Sequence, residues 1–342
     1  MARVNTVQAR ARESVLRAAE SAPDLTGLLR RAARAIRRAV PAEGWCGFTL
    51  DPATLVKATG VHETGLAPAL LGRLFELEYQ QRDANLFADL ARERRPAAVL
   101  TDRASSARYR EVLRPSGYGH ELRLVLLDQD RAWGGFVLLR EPGSPPFTPA
   151  DTRFAATLGR HLARGVRRIL LRDLRAPGAH PAHPGLLFLD EGYRVSSSTP
   201  GTDALLADLL DHDAGGGTLP TAVYAVAASA TPGPAPASAR IPTRAGGWAT
   251  IYGWRLTDPA RIALSIERSR PEAVTALALD GYGLSARERQ VVRLLLAGRS
   301  TREVATDLFL SPHTVRDHIK AIFTKTGMRS RPELTAALQP IP

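Results

Sequence analysis

Residues 284–328, LSARERQVVRLLLAGRSTREVATDLFLSPHTVRDHIKAIFTKTGM, carry their own punctuation. Ser285 and Glu288 form the pattern S-x-x-E, in which the hydroxyl and the carboxylate each satisfy a free backbone donor at a helix start. The same spacing recurs at Ser300/Glu303 and at Ser330/Glu333. Ser311 before Pro312 marks another start, because proline has no N–H to lose in a first turn. Gly298 and Gly327 supply left-handed residues that end helices. The spacing therefore predicts three short helices with a fourth beginning near residue 330.

Helices this short need a shared core. Val291, Val292, Leu295 and Leu296 make one apolar stripe, and Val304, Ala305 and Leu308 a second. In the third helix Val315, Ile319, Ile322 and Phe323 recur at helical spacing and point inward. The opposite face carries His313, Asp317, Lys320, Ala321 and Thr324, with Arg316 on its flank. Such a face suits the major groove of DNA, which admits one helix and is read by hydrogen-bonding heads.

This segment closely resembles the LuxR-type (GerE-like) helix-turn-helix of bacterial transcription regulators. The resemblance rests on Leu284-Ser-x-Arg-Glu-Arg289, Ala297-Gly-x-Ser300, Glu303-Val-Ala305, Leu310-Ser-x-x-Thr-Val-Arg-x-His318, Ile322-x-x-Lys325 and Ser330-Arg331. It implies that Arg316, Asp317 and Lys320 read bases. It also implies phosphate contacts from Thr301, Ser311, His313, Thr314 and Lys325. Thr301 stands where the family usually has asparagine, a change that still allows such a contact.

The chain has 342 residues, 44% of them hydrophobic, which is enough for two or three domains with cores. No apolar run is long enough to span a membrane. The N-terminal stretch lacks the apolar core of a secretory signal, and Glu13, Glu20 and Asp24 argue against a transit peptide. Cys46, the single cysteine, excludes an internal disulfide and fits a small buried hydrophobe in a reducing cytoplasm. The formal charge is +12, but nearly every cation is arginine amid much alanine, glycine and proline, so total charge weighs little. Position weighs more. Of the three lysines, Lys57, Lys320 and Lys325, two fall on the third helix of the quoted stretch.

Upstream, 4–20 and 24–39 read as helices, the second with Arg30, Arg31, Arg34, Arg37 and Arg38 on a solvated outer face. Strand patterns at 45–50 and 55–60 flank the turn signal Asp51-Pro52-Ala53-Thr54. A helix over 66–80, short helices at 86–93 and 106–113 around an apolar segment at 97–100, and a hairpin of 120–127 with 132–139 follow. Thr148-Pro149 then opens a helix to about 173. This order resembles a GAF-type sensor domain, as found at the N-terminus of actinobacterial LuxR-type regulators. The likeness is closest at Ser106-Ala-Arg-Tyr-Arg-Glu-Val-Leu113, Gly117, His120-Glu-Leu-Arg123 and Trp133-Gly134. It implies a small-ligand pocket against the sheet, for which Trp45, Phe48, Tyr79, Tyr109, Tyr118 and Trp133 are the candidate lining. Each of the six also fits an ordinary core position.

Residues 175–184 read as a linker; His180 and His183 within it have no accompanying carboxylate or cysteine for a metal site. Residues 185–270 resemble a reduced PAS-like domain by element order: strands at 186–189 and 193–196, helices at 201–211 and 219–229, a glycine run at 215–217, a Pro/Ala loop at 231–238, and strands at 239–243, 248–255 and 261–267. Residues 271–283 read as a connecting helix. Gly281-x-Gly283-x-x-Ala286 imitates a dinucleotide fingerprint, but only helices follow it, so no cofactor is expected there. No Walker loop, H-E-x-x-H, G-x-S-x-G or cysteine pair occurs, and the first domain lacks the βαβ alternation of a phosphoacceptor receiver.

The sequence thus predicts a multidomain chain. An α+β GAF-like domain fills 1–174, an α+β PAS-like domain 185–270, and an all-α four-helix LuxR-type helix-turn-helix domain 284–342. The expected function is a cytoplasmic, non-enzymatic, one-component transcription regulator without cofactor or metal. Its expected partners are double-stranded DNA, a second copy of itself and a small-molecule effector. Two rivals remain open: a sigma-like factor that binds promoters only with RNA polymerase, and a small-molecule sensor or enzyme in which DNA binding is secondary.

Overall fold

The computed structural model describes residues 2–64, 66–80, 82–174, 183–210, 218–256 and 261–338. Residues 175–182 of the linker and the 215–217 glycine run lie outside them.

Helix α1 (Ala2–Ser21) packs on α2 (Leu25–Ala39), which starts where the Asp24 carboxylate accepts the Gly27 N–H at 2.6 Å. The apolar stripe of α2 is buried, and Arg30, Arg31, Arg34 and Arg38 are exposed. A five-stranded antiparallel sheet follows: β1 (Gly44–Leu50), β2 (Lys57–Glu63), β3 (Ala97–Val99), β4 (His120–Asp128) and β5 (Arg131–Arg140). Its order is β2-β1-β5-β4-β3. Strand β2 begins later than expected because Leu55 takes a left-handed φ of 60° and prolongs the turn. Gln129 and Asp130, at φ 52° and 61°, make the two-residue hairpin turn whose twist suits antiparallel strands.

Helix α5 (Pro149–Asp173) backs one face of this sheet, and its start is a closed capping box between Thr148 and Asp151. Side-chain alternation divides the sheet. Leu122, Leu124 and Leu126 join the core under α1, α2 and α5, whereas Glu121, Arg123 and Val125 face the other way. That second face is framed by α3 (Leu71–Tyr79), α4 (Phe87–Arg92) and a π turn at Tyr109–Leu113, where an α-helix was predicted.

A second antiparallel sheet holds β6 (Gly185–Leu189), β7 (Val195–Ser198), β8 (Ala237–Pro242), β9 (Trp248–Arg255) and β10 (Ile262–Arg268), in the order β7-β6-β10-β9-β8. Strand β8 takes up the end of the expected 231–238 loop. Helices α6 (Thr202–Asp208) and α7 (Thr221–Ser229) lie between its strands in sequence. Helix α7 packs on both its own sheet and β2 and α3 of the first unit. Arg240 also crosses this boundary, donating to Asp51 Oδ2 through N and Nε at 3.0 and 2.7 Å, and to Ala273 O at 3.0 Å.

Four helices complete the described chain after α8 (Pro271–Gly281): α9 (Ala286–Leu296), α10 (Thr301–Asp307), α11 (Pro312–Thr326) and α12 (Arg331–Leu338). Leu171 and Leu174 of the α5 end pack on their core. Asp280 joins three elements, accepting Arg131 at 2.9 Å and Arg289 at 2.7 Å.

Candidate nucleic-acid interface and sensor cavity

The C-terminal unit forms because its stops and starts are satisfied locally. Ser285 Oγ accepts the Glu288 N–H at 3.2 Å while Glu288 Oε2 accepts the Ser285 N–H at 2.7 Å. The Ser300/Glu303 pair repeats this geometry at the same two distances. Ser311 caps α11 by accepting the Thr314 N–H at 3.1 Å, and Gly327 closes it at φ 73°. Val315 and Ile322 are wholly buried against Val291, Val292 and Val304, while Ile319 and Phe323 are half-buried.

With those residues inward, Arg316, Asp317, Lys320 and Thr324 are exposed along the opposite face. His313 Nδ1 lies 3.1 Å from Asp317 Oδ2, also in the open. Thr301 heads α10 and is half-buried; Ser311 and Thr314 lie together at the N-terminus of α11, their hydroxyls 2.9 Å apart. Lys325, expected to contact phosphate, is exposed and also ion-paired. Its Nζ is 2.8 and 2.6 Å from the two oxygens of the buried Glu288. Burial pushes the Glu288 carboxyl up, but Lys325 and the Ser285 N–H outweigh it and hold it below the ordinary carboxylate range. Lys325 therefore ties α11 to α9. The turn before α11 leaves Phe309 96% exposed.

A segment with these features matches the family described as bacterial regulatory proteins, luxR family, over residues 283–338. The spore germination protein GerE of Bacillus subtilis is 40% identical over 55 residues, which span 16% of this chain and 74% of that protein. The chain belongs to the luxR family of bacterial regulatory proteins. A putative HTH-type transcriptional regulator of Mycobacterium bovis is 41% identical to this luxR-family chain over 69 residues. That match spans 20% of this chain and only 7% of the mycobacterial protein. Residues 24–166 match the GAF domain. The GAF domain of a phosphoenolpyruvate-protein phosphotransferase from Coxiella burnetii is 21% identical, with a TM-score of 0.35, over 48% of this chain and 94% of that one.

In the GAF domain of this luxR-family chain, the sheet face away from α5 encloses a cavity of about 230 Å³. Of the six aromatic candidates, Phe48 and Tyr79 line it. Trp45 and Trp133 do not: alternation turns Trp45, and the register shift opposite Leu126 and Leu127 turns Trp133, to the opposite face, into the core beneath α1, α2 and α5. Tyr109 and Tyr118 are not in its wall but pack behind Leu113 and Leu139, which are.

Charged residues in or beside that wall were not singled out from sequence. Arg108 and Glu121 are almost fully buried and paired at 2.7 Å, and Arg123 bridges Glu121 at 3.1 Å to Glu78 at 2.8 Å. Burial pushes Glu121 up, but Arg108 and Arg123 prevail and hold its carboxyl below the ordinary range. The one available signal was His120-Glu-Leu-Arg123, which puts an acid and a base two residues apart on one strand face. Among the described residues no helix is long and apolar enough to cross a membrane, and no group of three or more His, Cys, Asp or Glu side chains could hold a metal.

Proposed function

We propose that this chain is a sequence-specific DNA-binding transcription regulator that acts as a cytoplasmic homodimer and takes its signal from a small molecule in the GAF-domain cavity. The observation that carries the DNA-binding half is the division of α11: Val315 and Ile322 are buried, and Arg316, Asp317 and Lys320 are exposed together on the other side. In the major groove Arg316 and Lys320 offer donors to guanine O6 and N7, and Asp317 offers an acceptor to cytosine N4. Thr301, Ser311, His313 and Thr314 stand at helix starts, where hydroxyls, imidazole and free N–H groups meet phosphate. One short helix reads few bases, so two copies on paired half-sites are expected.

Binding-site selection with the purified full chain tests this. Lys320→Ala is expected to relax preference at one base position by about 1–3 kcal/mol. The affinity for all sites should fall with salt, by about 0.9 in log units per phosphate neutralised. An unchanged preference in the variant contradicts the assignment. Specific binding without polymerase distinguishes this reading from a sigma-like factor.

A further inference from the structure

The cavity wall carries a buried lysine beside carboxylates that arginines have already taken up. Lys57 is 7% exposed and lines the cavity from the start of β2. Its ammonium lies 5.3 Å from the Phe48 ring centre, 5.5 Å from the Phe75 ring centre and 3.9 Å from Cys46 Sγ. Among the described residues it makes no ion pair, although Glu78 and Glu121 line the same space. Those carboxylates are already occupied. Glu78 accepts the Phe87 N–H at 2.8 Å on one oxygen and Arg123 at 2.8 Å on the other. Glu121 gives both oxygens to Arg108 and Arg123. Thr64, also in the wall, has a buried hydroxyl with no hydrogen-bond partner among the described residues.

A buried ammonium that meets a thiol and ring faces in place of a carboxylate is unfavourable, since taking a charge from water costs several kcal/mol and ring faces return about 0.5–2. The rest of the wall is apolar, with Leu74, Phe75, Val137 and Leu139 among it. At about 230 Å³ the space is smaller than the roughly 300–1,000 Å³ of drug-sized sites. We infer that the cavity binds a small monocarboxylate with an apolar body, its carboxylate taken by Lys57 Nζ. Thr221 at the head of α7 is also in the wall, so the ligand touches both sheet domains and bears on their junction. This rests on the cavity being the signal site and does not depend on which DNA sequence α11 reads.

The test is calorimetric titration and thermal unfolding of the full chain with phenylacetate, hexanoate, and the neutral amide of each. At least one acid is expected to bind and raise the Tm, with its amide about tenfold or more weaker. Lys57→Met keeps the side-chain stem and should abolish that preference while leaving amide binding in place. Equal binding of acid and amide by the natural chain overturns the inference, as does an acid preference that survives in Lys57→Met. So does the absence of binding by all four at millimolar concentration. The acid–amide comparison stands even if a variant fails to fold. DNA binding is scored separately by footprinting, so loss of one activity is distinguishable from loss of the other.

Discussion

The two sheets share one strand order and fill their inner faces in opposite ways. In each, the strands run second, first, fifth, fourth, third by position in the chain, all antiparallel. The first sheet leaves a cavity bounded by Lys57, Glu121 and Arg123 and framed by short helices. The second is closed by α7, whose residues Thr221–Ala228 are all buried. Gly253 makes that closure tight: a Cβ there would lie 2.9 Å from Val226 Cγ1. The same scaffold therefore gives a ligand-sized space where ion pairs support the wall, and a solid core where small apolar side chains do. Strand order alone does not make a sensor.

The largest effect is expected where the first sheet depends on charge. Glu121→Ala leaves Arg108 and Arg123 buried beside each other without their shared carboxylate. The loss should be about 3–5 kcal/mol of unfolding free energy, read by urea denaturation with Trp45 and Trp133 as reporters after Trp248 and Trp254 are replaced by phenylalanine. Acid gives a second handle. The Glu121 pKa is lower folded than unfolded, so its contribution is complete above the ordinary carboxylate value of about 4.3 and is lost as pH falls through the lowered one. The first domain should therefore hold until strongly acid pH and then lose stability steeply, a loss that Glu121→Ala flattens. An unchanged acid profile in that variant would mean the ion pairs do not set the difference between the sheets.

What could be foreseen follows the range of the interactions. The C-terminal helices were legible because each cap joins residues three apart, as at Ser285/Glu288 and Ser300/Glu303. The hairpin at Gln129-Asp130 and the Thr148 start were legible for the same reason. The cavity was not. Arg123 meets Glu78 across 45 positions, and Arg108 meets Glu121 across 13. Trp45 was placed with the wrong face because aromatic character carries no information on strand parity, and Trp133 because a register shift at its position reverses the parity. Lys325 was read as a phosphate contact from its place near the helix end, and its ion-pair partner Glu288, from another helix 37 positions away, was not foreseen.

A smaller effect should come from overfilling the second sheet. Ala225 is wholly buried in the middle of α7. Ala225→Leu adds three carbons where the helix already lies close to the sheet, at an expected loss of about 1–3 kcal/mol by the same denaturation, now with Trp248 and Trp254 as reporters. If the variant is neutral, or stabilising, then the second sheet holds spare volume and the contrast with the first narrows.

The smallest effect concerns the outer face of the second sheet, where Phe188, Tyr252 and Trp254 are half-buried and the ring centres of Tyr252 and Trp254 are 6.1 Å apart. Among the described residues no layer resembling α5 covers them. Trp254→Thr keeps strand propensity and removes one same-face ring contact, so the loss should stay below about 1 kcal/mol. The dependence of the midpoint on protein concentration should be the same in Trp254→Thr as in the natural chain. A larger loss that grows on dilution of the natural chain, and disappears in Trp254→Thr, would mean that a second copy covers this face in solution. The two sheets would then differ by what backs them as well as by what fills them: an intramolecular helix for the first, another molecule for the second.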